Sequence, residues 1–259
     1  YTFHGLTPST VYHYAVAANC GSINSVFLTG HNQTECPPLT YADLPYRENF
    51  ESYYAGFQAS DISPCWHKGE VRDNGNHTRQ PNPSICRIDN DTVGLYFGAA
   101  QYYSSWAALP RLEDSVDISA LEVNFLMMRP NTVPCTTQLV VGFASGFYAD
   151  SANNQHFLGF TPVDTIDLSD QPATSLHDIT VRFAGYTGSG RYLLFHAPSP
   201  GSGADISVSN VFQLDNVTLR IAHPCPTPQN VRVTRVTADS ATVTWDPVPA
   251  VDTFLVSIR

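Results

Sequence analysis

Hydrophobic and polar residues alternate along most of this chain with the two-residue period of β-strands. The clearest case runs from Leu121 to Met127, where the first, third, fifth and seventh residues are all apolar and therefore share one face. Turn sequences such as Gly-Tyr-Thr-Gly-Ser-Gly at 185–190 separate the alternating stretches. Many short strands between frequent turns predict an all-β protein, built as a β-sandwich or jelly roll.

Composition supports a packed core and excludes some partners. Of the 259 residues, 42% are hydrophobic and 14% are charged, and the formal net charge is -10. Such an acidic chain repels nucleic acid and anionic lipid surfaces, and no apolar run is long enough to span a bilayer. We therefore expect no nucleic-acid partner and no membrane insertion.

The six cysteines form no Cys-x-x-Cys pair, and no two histidines are closer than nine residues. Zinc sites of the usual spacing are therefore not visible. Six widely spaced cysteines in an acidic, β-rich chain favour disulfides and a location outside the cytoplasm. The alternative is a set of buried free thiols.

Two proline-rich connectors, at 35–45 and 223–230, divide the chain. We therefore expect three segments, at 1–37, 38–222 and 223–259. Each flank is too short to bury a useful core by itself.

The N-terminal flank resembles the end of a fibronectin type III domain. Leu-Thr-Pro-Ser-Thr-Val-Tyr at 6–12 is similar to the turn and sixth strand, and 25–30 is similar to the seventh strand. The resemblance implies a tyrosine corner, in which the Tyr12 hydroxyl bonds to the upstream backbone. The alternative is an unrelated β-hairpin.

The C-terminal flank resembles the beginning of the same fold. Its segments 228–234, 240–247 and 253–259 are similar to the first three strands, with Trp245 as the core tryptophan. The chain is thus expected to be a piece of a longer modular protein. Since an isolated half leaves open sheet edges and an exposed tryptophan, we expect the two halves to form a composite module, within one chain or between two.

This resemblance also bears on the cysteines. It places Cys20, at the end of the sixth strand, and Cys225, before the first, at the same pole of the module, which implies a Cys20–Cys225 disulfide. The other four cysteines allow three connectivities. We favour Cys36–Cys65 with Cys86–Cys135, and Cys65–Cys86 is the rival pairing.

The middle segment resembles the MAM-like jelly rolls of bacterial surface proteins, known as choice-of-anchor or cleaved-adhesin domains. The resemblance covers roughly 41–222 and implies two antiparallel sheets packed face to face, in a secreted or cell-surface protein of anaerobic bacteria. The phrases that carry it, in family order, are Leu44-Pro-Tyr-Arg-Glu-Asn-Phe-Glu-Ser, Cys65-Trp, Trp106-Ala-Ala-Leu-Pro-Arg-Leu, Arg191-Tyr-Leu-Leu-Phe and Phe212-Gln-Leu-Asp-Asn-Val-Thr-Leu.

In such jelly rolls an early glutamate and a carboxylate of the last strand often share a structural calcium ion. The matching residues are Glu51 and Asp215, and Asp61 or Asn216 would add oxygen ligands. The alternative is that both carboxylates are solvated at strand ends.

Aromatic residues at 101–106 offer candidate ligand contacts. Tyr102, Tyr103 and Trp106 could stack on sugar rings or on a protein partner. The alternative is that Trp106 belongs to the core and the tyrosines line a strand edge.

No nucleophile elbow, zinc-protease motif, Walker loop or dinucleotide fingerprint occurs in the sequence. We therefore expect a non-catalytic adhesion or carbohydrate-binding module whose partner is a glycan or a host surface protein. The alternative is a structural spacer or accessory region of a secreted protease or glycosidase. A weaker third possibility makes the jelly roll itself a hydrolase.

Overall fold

We analysed the chain as a computed structural model. The structure describes residues 2–21, 23–53, 62–63, 65–72, 83–87, 92–99, 103–130, 135–150, 155–200, 209–222, 228, 230–247 and 253–257.

Strands dominate the described residues, and the only helices among them are single turns of 3-10 helix at Tyr41–Asp43 and Ile118–Ala120. No helix in this part of the chain is long and apolar enough to cross a membrane. The strands are β1 (Val11–Val16), β2 (Leu28–Gln33), β3 (Tyr46–Glu48), β4 (His67–Arg72), β5 (Ser84–Arg87), β6 (Val93–Ala99), β7 (Tyr103–Ala108), β8 (Leu121–Met128), β9 (Cys135–Thr136), β10 (Gln138–Ala144), β11 (Gly146–Ala149), β12 (Gln155–Leu158), β13 (Thr161–Asp167), β14 (Leu176–Arg182), β15 (Tyr192–Ala197), β16 (Ser209–Ile221), β17 (Arg232–Val236) and β18 (Ala241–Thr244).

Two antiparallel sheets form the body of the protein. One has the order β13-β10-β15-β7-β4, and the other has the order β14-β8-β16-β6-β5, with β3 and β9 paired to the long strand β16. Their inner faces share one hydrophobic core, in which Phe125 of β8 meets Phe195 of β15 edge to face at a centroid distance of 5.4 Å. The fold is therefore a jelly-roll β-sandwich, and the prediction of an all-β fold is confirmed.

The alternation in β8 places one row of apolar residues in the core between the sheets and the remaining residues on the opposite face of the strand. The four apolar residues at alternate positions from Leu121 to Met127 are fully buried, as predicted. On the opposite face Glu122 is also buried, where it accepts a hydrogen bond from Arg220 of β16 at 2.8 Å and lies 3.2 Å from Arg182 of β14. The cross-strand arginines compensate a carboxylate that would otherwise be costly to bury.

A hairpin made of β11 and β12 lies outside this sandwich as a separate two-stranded sheet. It covers the outer face of the five-stranded sheet, and together they enclose a second, smaller hydrophobic cluster. We call this second cluster the aromatic cluster; its members include Trp106, Phe147, Phe157, Phe160 and Tyr192.

The N-terminal flank forms a hairpin of β1 and β2 with the expected tyrosine bond. The backbone N–H of Thr7 donates to the Tyr12 hydroxyl oxygen at 2.9 Å. In the C-terminal flank, β17 and β18 pair with each other, and the half-buried Trp245 contacts Phe254 at a centroid distance of 5.0 Å. The described residues 253–257 are not a strand, so the expectation of a third strand there is wrong.

The described parts of the two flanks share no sheet. Each hairpin closes its own backbone hydrogen bonds in a separate two-stranded sheet. Large apolar side chains on both flanks face solvent, among them Val26 at 92% and Leu255 at 99% exposure. A composite module within one chain is therefore not formed by the described residues, and pairing between two chains stays a prediction.

One of the favoured disulfides is present and the others are not. Cys36 and Cys65 are bonded with a sequence separation of 29. Cys20 carries an exposed thiol, so the predicted Cys20–Cys225 bond is not formed, and the described parts of the two flanks lie in separate sheets. Cys225 lies outside the described residues.

The Cys86–Cys135 pairing and the rival Cys65–Cys86 pairing are also wrong, because Cys86 remains a thiol. Cys86 lies on β5 and Cys135 on β9, with β6 and β16 between them. Three strand spacings alone keep their Cα atoms at least about 14 Å apart, whereas a disulfide needs about 4.4–6.8 Å. The Cys86 thiol instead accepts a hydrogen bond from Gln213 Nε2 at 3.2 Å.

Candidate functional site

Trp106, predicted as a ligand contact, lies inside the aromatic cluster. It is 1% exposed, its ring stacks on Phe147 at a centroid distance of 4.8 Å, and its Nε1–H donates to the Gln155 carbonyl at 3.0 Å. Because the β11–β12 hairpin covers the indole, the prediction that Trp106 meets a ligand is wrong for this structure, and its alternative as a packed residue agrees with the burial. Tyr103 is half-buried at the beginning of β7, and Tyr102 lies outside the described residues.

The close approach of β4 to the indole requires glycine. Gly69 is the register partner of Trp106, and a Cβ atom there would come within 2.5 Å of Trp106 Cζ2. The indole therefore occupies the space that a side chain at position 69 would fill.

A pocket of about 250 Å³ opens beside this cluster. Its walls come from the segment after β2, from the residues around the beginning of β4, from the segment after β7 and from the first residue of β15. The lining residues are Glu35, Cys36, Pro38, Cys65, His67, Pro110, Arg111 and Tyr192.

The Cys36–Cys65 disulfide fixes one wall of the pocket. It ties the segment that follows the N-terminal hairpin to the residue two positions before β4. Ser9 Oγ lies 2.7 Å from Cys36 Sγ, so the N-terminal flank also contacts this wall. The bond therefore holds the flank carrying Glu35 beside the sandwich edge carrying His67.

His67 and Tyr192 present the aromatic surface of the pocket. His67 stacks on Phe147 at 4.5 Å and meets Tyr192 edge to face at 5.3 Å between ring centroids. Burial lowers the pKa of His67, and the nearby carboxylate of Glu35 opposes that shift. At neutral pH this imidazole is therefore uncharged, with one nitrogen as donor and one as acceptor.

The pKa of the Tyr192 phenol shifts in the opposite direction from that of His67. Burial raises its pKa, the carboxylate of Glu35 raises it further, and Arg111 acts against both. Tyr192 thus stays protonated at neutral pH and keeps an O–H donor in the pocket.

Arg111 and Glu35 supply the charged part of the lining. Arg111 is half-buried and forms an ion pair with Asp114 at 2.5 Å, which orients its guanidinium group. Glu35 is exposed at the rim. The lining thus combines a carboxylate acceptor, guanidinium donors, a neutral imidazole and a phenol around an apolar floor.

The described lining holds a single carboxylate, whereas most glycoside hydrolases place two across the bond they cleave. Among the residues that the structure describes, no group of three or more His, Cys, Asp or Glu side chains is arranged to hold a metal ion. The lining therefore offers hydrogen bonds and ring surfaces rather than an assembled catalytic pair.

Two of the predicted calcium ligands, Glu51 and Asp215, lie where β16 changes its partner from β6 to β3. Glu51 Oε1 accepts a hydrogen bond from the Val93 N–H at 3.1 Å. Asp215 is buried beside a bulge in β16, and its two oxygens accept from the backbone N–H and the side-chain amide of Asn216 at 2.6 and 3.1 Å. Asp61 lies outside the described residues, so the described part offers two of the three carboxylates and calcium stays a prediction.

Sequence reasoning did not find the pocket. Its polar residues come from positions 35, 67, 111 and 192, and no local pattern connects them. The signals were indirect: the predicted Cys36–Cys65 pairing joins two of its walls, and the MAM-like resemblance included the phrases that contain Arg111 and Tyr192.

Comparisons with known proteins give similarity in fold only. No protein-family model and no curated protein matches the sequence. Among solved structures, a cleaved adhesin domain of Lys-gingipain from Porphyromonas gingivalis is similar at a TM-score of 0.36 and 13% identity, over 67% of this chain and 96% of that one. The tandem carbohydrate-binding modules of Paenibacillus barcinonensis Xyn10C match at 0.37 and 12%, over 85% and 75%.

A family 11 carbohydrate-binding module from Clostridium thermocellum, solved with a mixed-linked tetrasaccharide, matches at a TM-score of 0.35 and 13% identity, over 68% of this chain and 96% of that one. At these TM-scores the similarities carry no argument about what this chain binds. The MAM-like and fibronectin type III resemblances therefore stay predictions.

Proposed function

We propose that this protein is a non-catalytic carbohydrate-binding or adhesion module of a secreted or cell-surface protein, and that the pocket beside the aromatic cluster holds its ligand. The observation that carries the proposal is the lining itself, in which the rings of His67 and Tyr192 stand beside the charged groups of Glu35 and Arg111. Sugars present apolar C–H faces and many hydroxyls, so they need both kinds of contact.

The size of the pocket limits the ligand. About 250 Å³ is below the roughly 300–1,000 Å³ of pockets that enclose drug-sized ligands. A single sugar residue, such as the end of a glycan chain, suits this volume better than a long internal segment. Neutral His67 and protonated Tyr192 both hydrogen-bond to hydroxyls without requiring a charged sugar.

A location outside the cytoplasm is supported by the Cys36–Cys65 disulfide, which forms part of the pocket wall. Disulfides of this kind persist in oxidising compartments. Reduction would free the segment carrying Glu35 from the edge of the sandwich, so ligand binding and oxidation are coupled in this proposal.

A glycan array followed by calorimetry on the best binder tests the proposal. We expect Glu35→Gln to weaken binding about tenfold, the loss of one hydrogen bond to a charged group. Asp164→Asn, which neutralises an exposed carboxylate on β13 away from the pocket lining, is the matched control and should bind like the parent protein.

Selective glycan binding that is insensitive to both Glu35→Gln and Arg111→Ala would place the ligand elsewhere and overturn the pocket assignment. An intact fold that binds no glycan, mucin or matrix protein would favour the alternative role as a spacer attached to a secreted protease or glycosidase. Hydrolysis of any bound glycan would contradict the non-catalytic assignment.

A further inference from the structure

Two histidines form a directly opposed pair on the N-terminal hairpin. His13 of β1 is the register partner of His31 of β2, and their ring centroids are 5.5 Å apart. Both side chains are exposed, and no hydrogen bond joins either imidazole to another of the described residues. The fold thus holds two imidazoles next to each other with all of their nitrogens open to a ligand.

The separation of the rings matches what a shared metal ion requires. A zinc ion lies about 2.1 Å from the imidazole nitrogen that binds it, which places it roughly 3.2 Å from the ring centroid. Two rings on one tetrahedral ion therefore have centroids about 5.2 Å apart. The observed centroid distance of 5.5 Å is within about 0.3 Å of that value.

The placement of the pair keeps it accessible. Side chains alternate across a strand, so His13 and His31 lie on the opposite face of the hairpin from Tyr12, Tyr14 and Val16. The tyrosine bond lies on that other face, as do the exposed side chains of Tyr14, Val16 and Leu28, whereas Val11 shares the histidine face. Any partner that covers the apolar face therefore leaves the histidine pair in solvent.

We propose that His13 and His31 form a two-histidine chelate site for a late first-row divalent cation such as Zn²⁺, Ni²⁺ or Cu²⁺. Imidazole is a preferred ligand of these ions, and water completes the coordination. Because the second imidazole binds from the same hairpin, its effective concentration is high and the pair binds more tightly than either ring alone.

Binding at this site would stabilise the hairpin. An isolated two-stranded hairpin is marginal in water, and within the described part of the chain β1 and β2 pair with no third strand. A cation that joins the two strands binds the folded hairpin better than the open one, so it shifts the equilibrium towards the folded form by mass action.

The test uses tag-free protein in a Cys20→Ser background, because the exposed Cys20 thiol is a competing ligand. Zinc calorimetry should give one equivalent bound, and His13→Ala and His31→Ala should each weaken binding by about tenfold or more. His4→Ala removes another exposed histidine of the same flank and is the matched control, which should bind zinc like the background protein.

A second measurement does not depend on affinity. Amide hydrogen exchange in β1 and β2 should slow on addition of zinc in the background protein and in His4→Ala, and should not change in His13→Gln or His31→Gln. No zinc binding, or binding that the His13→Ala/His31→Ala double variant retains, would overturn the proposal. Loss of zinc binding in His4→Ala would contradict the two-residue assignment.

Discussion

Trp106 and Phe147 stack almost parallel, with an interplanar angle of 6°, although they belong to different sheets. Trp106 lies on the outer face of the five-stranded sheet and Phe147 on the hairpin that covers it. Through this contact the outer face of the five-stranded sheet becomes one side of a second hydrophobic core. The β11–β12 hairpin is therefore a third layer on that side of the sandwich.

The first prediction concerns this second core. Trp106→Ala should reduce the free energy of unfolding by about 3–5 kcal/mol, because it removes a fully buried ring and leaves the Gln155 carbonyl without its donor. Urea unfolding measures the loss. Tyr148→Ala removes a half-exposed aromatic ring from the same hairpin and should cost within about 1 kcal/mol, so equal losses in the two variants would contradict the layered arrangement.

The burial of Trp106 shows which aspects of burial the sequence could predict and which it could not. In β8 the alternation was clear, and the structure has its predicted inner face. In β7 both faces are buried, since Ala107 packs into the main core and Trp106 into the aromatic cluster. The residues that cover Trp106 begin some forty positions later in the sequence, and no local pattern predicts that they contact it.

The pocket was unpredictable for a related physical reason. A local pattern reports which face of one strand is buried, whereas Glu35 and Tyr192 meet only after the sandwich has closed and the Cys36–Cys65 disulfide has formed. The Cys86–Cys135 pairing failed in the same way, because strand order within the sheet decides which cysteines are neighbours. Sequence therefore predicted the fold class well and the site poorly.

The second prediction concerns acid stability. His196 lies among the aromatic rings of Phe157 and Phe160, and burial lowers its pKa to about 4. The unfolded chain binds a proton at an ordinary pKa near 6.5, so between pH 6.5 and 4 the unfolded state holds more protons. Stability from this group is thus complete above about pH 6.5 and is lost on acidification, by up to roughly 3 kcal/mol.

Urea unfolding at pH 7 and at pH 4.5 measures this loss. His196→Phe should flatten the decline in stability between the two pH values, whereas His4→Gln, at an exposed position, should leave it unchanged. Because burial also lowers the pKa of His67, some acid sensitivity should remain in the His196→Phe protein. An unchanged slope in that variant would show that another group controls acid unfolding.

The third prediction tests calcium. Adding calcium to chelator-treated protein should raise the melting temperature, because an ion held by Glu51 and Asp215 binds only the folded state. The calcium-dependent increment should disappear in Asp215→Asn and persist in Asp164→Asn, whose carboxylate is exposed on β13. The increment, rather than the melting temperature itself, is compared, since Asp215 also accepts two hydrogen bonds from Asn216. Identical melting with and without calcium would refute this site.

The fourth prediction concerns the apolar faces of the two flanks. Leu28 is 77% exposed on the face of the β1–β2 hairpin that carries Tyr12, and Val236 of β17 is 72% exposed on the other flank. If the flank of one chain completes the module of another, the protein should self-associate as concentration rises, because burial of such side chains contributes roughly 1.5–3 kcal/mol each. Sedimentation velocity over a concentration series measures this.

Substitutions at two adjacent positions distinguish association through that face from nonspecific association. Leu28→Glu places a charge on the apolar face and should leave the protein monomeric, whereas Thr29→Glu places the same charge on the opposite face and should not. Because both variants change the net charge equally, a difference between them reports the charge placed on the apolar face and the leucine removed from it. A parent protein that stays monomeric throughout the series, or two variants that behave alike, would rule out pairing of the flanks between chains.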